Sequence, residues 1–265
     1  MQVKTEDFFR QYPVFTLDEA VQVLRPPGGR AAMAERLKYH ITQSRLKRLA
    51  RELYASVPPG QSPVAFQPDV YLTALALRPD GIFCYHSALD LLGASHSAWH
   101  QHTLFTDQRR PPLAVPYGNR IIFLETPVPL RRNNMDALGT LQAERSGRLF
   151  RFTGPERTLV EGFRRLDLVG GLEELVTSAA GFPYLDLDLL ARILNAYNLR
   201  GVWAAVGWFL ETHQEVFQVP EVVLQLFESH RPGGPQYLGQ RRSGGTLISR
   251  WNLIFPQGTG GPDEP

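Results

Sequence analysis

The chain has 265 residues, 43% of them hydrophobic and 20% charged, which is enough to bury a sizeable core in one large domain or two smaller ones. No apolar run approaches the ~18 residues of a membrane span, and the N-terminal MQVKTEDFFRQYP lacks the apolar centre of a secretory signal, so a cytoplasmic protein with no membrane partner is expected. The single cysteine, Cys84, excludes an internal disulfide and a cysteine-built zinc site.

Thr16 with Glu19 three residues on is a capping-box pattern. Leu17, Ala20, Val21 and Leu24 follow at helical spacing, which predicts a helix over Thr16–Leu24. Arg25-Pro-Pro-Gly-Gly ends it. A second helix is expected from Arg30 to about His40, with Ala31, Ala34, Leu37 and Ile41 on one side. The next stretch, SRLKRLARELYASVP from Ser44 to Pro58, admits two readings. As a helix, its leucines form a stripe and its cations a solvated face; as a hairpin turning near Ala50-Arg51-Glu52, it projects the cations on a ribbon. The β-branched Ile41-Thr42 and the strand-like Tyr54-Ala-Ser-Val57 before two prolines favour the hairpin. Leu46, Leu49 and Tyr54 should anchor it and leave Lys47, Arg48 and Arg51 exposed.

Charge is unevenly spread along the chain. Met1–Arg51 holds ten Lys/Arg against five Asp/Glu, whereas the remainder holds 18 against 21. Between Arg30 and Arg51 seven cations, Arg30, Arg36, Lys38, Arg45, Lys47, Arg48 and Arg51, stand against one acid, Glu35. That excess is the footprint of a phosphate-binding surface, and these seven are the candidate DNA-binding residues; a solvated helix face is the alternative.

Val57-Pro-Pro-Gly-Gln-Ser-Pro63 reads as a stiff connector, which divides the chain into residues 1–60, 61–255 and a Gly/Pro-rich, disordered tail at 256–265. Beyond it, Gly81–Tyr85 reads as a short buried strand, Ser87–Asp90 as a capped helix start, and Asn119–Glu125 and Arg148–Phe152 as strands. Thr153 and Glu156 repeat the capping-box spacing, with Pro155 in the first turn and Leu159, Val160, Phe163 and Leu166 along one face. Further helices are expected after Gly170-Gly171, over Leu185–Leu194 and over Gly201–Leu210. In the last, Trp203, Trp208 and Phe209 are either core or an aromatic surface for a partner.

The residues offer little for catalysis. His96 and His100 are four apart, but Ser97 stands where a metalloprotease has its glutamate and no third ligand is evident, so no metal is expected. Cys84 and His86 could pair, although a buried cysteine is the simpler reading. All three lysines precede Ser56, against the carboxylate–lysine arrangement of nucleases. No catalytic residue and no cofactor is assigned, and an enzyme is not expected.

FTLDEAVQVL followed by SRLKRLARELYASVP resembles the N-terminal winged-helix domain of AbiEi-type antitoxins, the abortive-infection antitoxins of type IV toxin–antitoxin systems. Glu52 stands where such wings usually carry glycine. PERTLVE closing with GGLEE, together with YHSALDLLG, GVWAAVGWFLE and SRWNLIFP, is similar to landmarks of the C-terminal antitoxin domain. The resemblance implies an α+β protein, an N-terminal winged helix-turn-helix followed by a larger mixed α/β domain. It further implies an antitoxin and autorepressor that binds double-stranded DNA at repeats in its own promoter and counters a nucleotidyltransferase-like toxin, by direct or indirect contact. The toxin-neutralising residues are unknown. A stand-alone winged-helix regulator whose second domain senses a ligand or a protein is the alternative.

Overall fold

The computed structural model describes residues 3–108, 110–116, 118–239 and 243–255; the expectation of a disordered tail falls on residues outside these. In chain order the elements are α1 (Thr5–Gln11), β1 (Val14–Thr16), α2 (Leu17–Leu24), α3 (Gly29–Thr42), β2 (Leu46–Ala50), β3 (Leu53–Ser56) and α4 (Val70–Leu77). Then come β4 (Ile82–Phe83), α5 (His86–Leu91), β5 (Gln101–Thr106), β6 (Leu113–Ala114), β7 (Arg120–Glu125), α6 (Val128–Arg132), β8 (Thr140–Arg145), β9 (Arg148–Thr153) and α7 (Pro155–Arg164). The chain continues with α8 (Leu172–Ala180), α9 (Leu187–Tyr197), α10 (Arg200–Thr212), α11 (Glu221–Ser229), β10 (Gln236–Tyr237), β11 (Thr246–Ile248) and β12 (Leu253–Phe255). The fold is α+β. No helix among the described residues is long and apolar enough to cross a membrane.

Two compact units partition the chain. One takes Met1–Gly81, His100–Leu124 and Gln142–Arg151; the other takes Ile82–Trp99, Glu125–Leu141 and Phe152–Pro265. The boundary expected after residue 60 falls inside the first unit, because later segments return to it.

In the first unit, α1, α2, α3 and the β2–β3 hairpin enclose a core of Phe8, Phe15, Leu17, Leu24, Met33, Leu37, Leu46 and Tyr54. Phe15 meets Phe8 edge-on with centroids 4.9 Å apart and stacks on Tyr54 at 5.8 Å, offset geometries that aromatic rings favour. The strands form a three-stranded antiparallel sheet in the order β1-β3-β2. The wholly buried face of α4 packs on β1. Among the later strands, β6, β7 and β5 are successive hydrogen-bonded neighbours, as are β9 and β8. Arg148 of β9 reaches back to this module: its guanidinium donates to the Val14 carbonyl at 2.9 Å and lies 2.9 Å from a Glu19 carboxylate oxygen.

The second unit is built on α7, whose residues Glu156–Phe163 are all buried. The expected Thr153 cap is not made. Pro155 occupies the first turn, so Gly154 becomes the N-cap, while the Thr153 hydroxyl pairs with Thr158 and Glu156 accepts from the Asp186 amide. Similarly, α5 is capped two residues earlier than expected, with Tyr85 rather than Ser87 at its N-cap. Trp203, Trp208 and Phe209 are core, not a partner surface. Trp203 stacks on His230 at 4.2 Å, Trp208 meets Phe255 at 4.5 Å, and all three are at most 7% exposed. Gly207 lets Trp251 lie against α10, since a Cβ there would fall 2.1 Å from the indole. The last strands form a second three-stranded sheet, β10-β12-β11.

Candidate nucleic-acid interface

Helix α2 begins as its sequence dictates. Glu19 N donates to the Thr16 hydroxyl, and the Glu19 carboxylate accepts from Thr16 N at 2.7 Å, a complete capping box. Arg25 ends the helix in the left-handed region, and the Pro-Pro-Gly-Gly turn follows, closed by Gly29 N donating to Pro26 O at 3.0 Å. Helix α3 then runs 14 residues, burying Met33, Leu37 and His40 and exposing Arg36, Lys38 and Tyr39. Burial, followed by the Arg45 and Arg36 charges, holds the His40 pKa below its ordinary value, so the imidazole is neutral at pH 7 and adds no positive charge.

Ser44 to Ser56 is a hairpin. Leu46 pairs with Ser56, Lys47 with Ala55, Arg48 with Tyr54 and Ala50 with Leu53, and a bulge between Arg48 and Ala50 absorbs Leu49. Arg51 and Glu52 form the tip, Glu52 at φ 59°. A glutamate thus holds the left-handed conformation usually supplied by glycine at such a turn. Leu46 and Tyr54 are buried anchors, as expected, whereas Leu49 is half-buried.

The seven candidate cations are distributed differently from one even patch. Arg30 is drawn into a bridge between Asp18 of α2 and Glu52 of the hairpin tip, 2.7 Å from the latter. Lys38 pairs with Glu35 one turn back at 2.6 Å, and Arg45 lies 3.6 Å from Glu6. Lys47, expected to be exposed, is half-buried and donates to the Phe66 carbonyl at 2.9 Å. Arg48 is exposed and donates to Ala50 O at 3.3 Å. Among the described residues, Arg36 and Arg51 make no hydrogen bond or ion pair. The α3 face and hairpin tip therefore offer Arg36, Arg48 and Arg51 most freely, joined by two side chains the charge count passed over, Tyr39 at 60% exposure and the C-cap Gln43.

Two polar clusters of the second unit resolve as internal structure. Arg157 and Glu161, both fully buried, pair at 2.8 Å. The guanidinium also donates to the Asp136 and Leu138 carbonyls, and the Tyr197 hydroxyl donates to Glu161. Burial would lower the Arg157 pKa, and the Glu161 charge more than offsets it; burial and then Glu161 push the Tyr197 phenol well up. Elsewhere Glu174 accepts from the His96 and Ser97 amides and from the Ser97 and Ser178 hydroxyls, and meets His86 at 3.3 Å. Burial alone would raise the Glu174 pKa, but these donors depress it, while burial depresses His86. The contact is thus a neutral imidazole donating to a carboxylate, a brace for the 96–99 turn. Cys84 is buried. No group of three or more His, Cys, Asp or Glu among the described residues is placed to hold a metal ion.

No family model and no curated protein matches the sequence. Among solved structures the chain is similar to the crystal structure of the RV2827C protein from Mycobacterium tuberculosis, with a TM-score of 0.62 and 18% sequence identity, covering 94% of this chain and 89% of that one; the likeness shows a shared fold.

Proposed function

We propose that α1 to β3 is a winged helix-turn-helix that binds double-stranded DNA, with α3 entering the major groove and the β2–β3 hairpin lying along a flanking backbone. The observation that carries this reading is the register of the hairpin. It folds Leu46–Ser56 into a ribbon in which Leu46 and Tyr54 are buried anchors while Arg48, opposite Tyr54, and Arg51, at the tip, remain exposed, adjacent in sequence to a basic helix with an exposed face. Arg36 and the side chains one and two turns along the same helix, Tyr39 and Gln43, are suited to base edges, and Arg48 and Arg51 to phosphates. On the resemblance to AbiEi-type antitoxins, the protein is the cytoplasmic antitoxin and autorepressor of a type IV toxin–antitoxin operon, opposing a nucleotidyltransferase-like toxin. Two measurements test this. A mobility shift on the DNA upstream of its own gene should show retardation that competitor DNA of unrelated sequence does not abolish. Co-expression with the product of the downstream gene should restore growth; growth arrest unrelieved by the chain would reject the antitoxin role while leaving the DNA result standing.

A further inference from the structure

A cleft of about 720 Å³ opens in the first unit between α1, the end of α3 and the Val57–Gln61 segment. Its size falls in the range of small-molecule sites. Phe9, Pro13, Val57 and Pro58 supply apolar wall, and Arg10 and Arg45 supply two guanidinium groups against one carboxylate, Glu6. The wall is rigid. Pro58-Pro59 fixes two φ angles, Gln61 N donates to Pro58 O at 3.1 Å, Val57 N to Arg45 O at 2.9 Å, and Ser56 N to Pro13 O at 2.8 Å. A stiff segment read from sequence only as a connector is therefore bonded down as one side of a preformed hollow, which lowers the ordering cost of binding.

Most polar side chains of the cleft are uncommitted, the Ser56 hydroxyl, which donates to Tyr12 O at 3.0 Å, being the exception. Among the described residues, the side chains of Arg10, Gln43, Ser44 and Gln61 make no hydrogen bond or ion pair. Arg45 has only Glu6, at 3.6 Å, beyond hydrogen-bond distance, and both side chains are more than half exposed. Such a pair holds its partners weakly, so an incoming anion can replace Glu6 at little cost. A guanidinium fork prefers a planar carboxylate. We propose that this cleft binds a small molecule with an apolar body and one carboxylate head, the head on Arg10 and Arg45 and the body against Phe9, Pro13 and Val57. The inference does not depend on the DNA-binding reading, although the two share Gln43 and Arg45.

The test uses the full chain, with 1-anilinonaphthalene-8-sulfonate as a fluorescent reporter and 4-phenylbutyrate, 4-phenylbutan-1-ol and inorganic phosphate as competitors. Reporter fluorescence should rise on mixing, and the acid should displace the reporter at least tenfold more effectively than the isosteric alcohol. Phosphate, which has no apolar body, should displace little. In the Arg10→Gln/Arg45→Gln variant, whose substituted side chains are exposed and whose folding is checked by circular dichroism, the preference for acid over alcohol should vanish. Gln61→Ala should weaken the acid less than the double variant does. The proposal is overturned by no reporter binding, by equal displacement by acid and alcohol, by phosphate acting as well as the acid, or by an unchanged acid preference in the double variant.

Discussion

Glu52 is the residue through which the proposed DNA contact can be tuned upward. It sits at the hairpin tip at φ 59°, and its carboxylate lies 2.7 Å from Arg30, whose guanidinium is also claimed by Asp18. Replacing Glu52 by glycine removes a left-handed non-glycine residue, a relief of ~1 kcal/mol, and loses an ion pair that, being nearly half exposed, is worth at most ~1 kcal/mol. Stability should therefore stay within about 1 kcal/mol of the parent, and any change in DNA binding can be read without a folding artefact. Adding Asp18→Asn removes the second carboxylate that holds Arg30. One further phosphate neutralised steepens the slope of log affinity against log salt by ~0.9, so lowering salt fourfold should favour the D18N/E52G variant ~3.5-fold more than the parent. Fluorescence anisotropy on labelled upstream DNA between 50 and 200 mM salt, about the span over which phosphate contacts dominate, measures both affinity and slope. E52G alone should give an intermediate gain. A double variant that melts like the parent and binds with the parent's slope would refute the placement of the hairpin tip and the α3 start beside phosphate.

Arg48→Gln with Arg51→Gln should flatten the same slope by roughly 1.8, whereas Lys47→Gln should leave it nearly unchanged, because Lys47 is spent on the Phe66 carbonyl. In the second unit, Arg157→Met should cost ~3–5 kcal/mol in urea unfolding by stranding the buried Glu161 charge, and adding Glu161→Leu should recover part of it. Acid should destabilise both units. His40 and His86 have folded pKa values below 6.5, so as pH falls past 6.5 the unfolded chain takes up protons that the folded chain refuses, and Tm should drop between pH 7.5 and 5.5. The H40N/H86N variant should show a smaller drop, and a further loss should follow below 4.5, where unfolding lets Glu174 protonate.

Local signals were the legible ones. Thr16 and Glu19 cap α2 because both partners lie within one turn and nothing competes; the same spacing at Thr153 and Glu156 fails because Pro155 moves the helix start and Asp186 N, 30 residues on, captures the glutamate. The hairpin could be read from Tyr54-Ala-Ser-Val57 and the prolines after it, whereas Ile41 and Thr42, read as weakening the helix, lie within α3; of the cations expected outside, Arg48 and Arg51 are exposed and Lys47 is half-buried. What the individual cations do could not be read, since that depends on Asp18, Glu52 and Phe66, brought near by the tertiary fold. The buried Arg157 was invisible for the same reason: a lone arginine in an amphipathic pattern reads as surface until Glu161, Tyr197 and two carbonyls close around it. Leu49 slipped from anchor to bulge because a register shift leaves no mark in composition.

The reach of Arg148 to Glu19 and to the Val14 carbonyl bears on the order in which the molecule assembles during synthesis. The capping glutamate of α2 serves twice, once within its own helix and once as the anchor for a side chain 134 residues downstream of Val14. As the chain leaves the ribosome, α1 to β3 can collapse on its own aromatic core early, but it waits for the β8–β9 hairpin before its supporting helix is tied down from behind. Contacts of such long sequence separation form late. A nascent chain arrested before Arg148 should carry α2 and α3 already formed yet more open to proteolysis than the finished protein, and it should tighten in a single step once that arginine emerges.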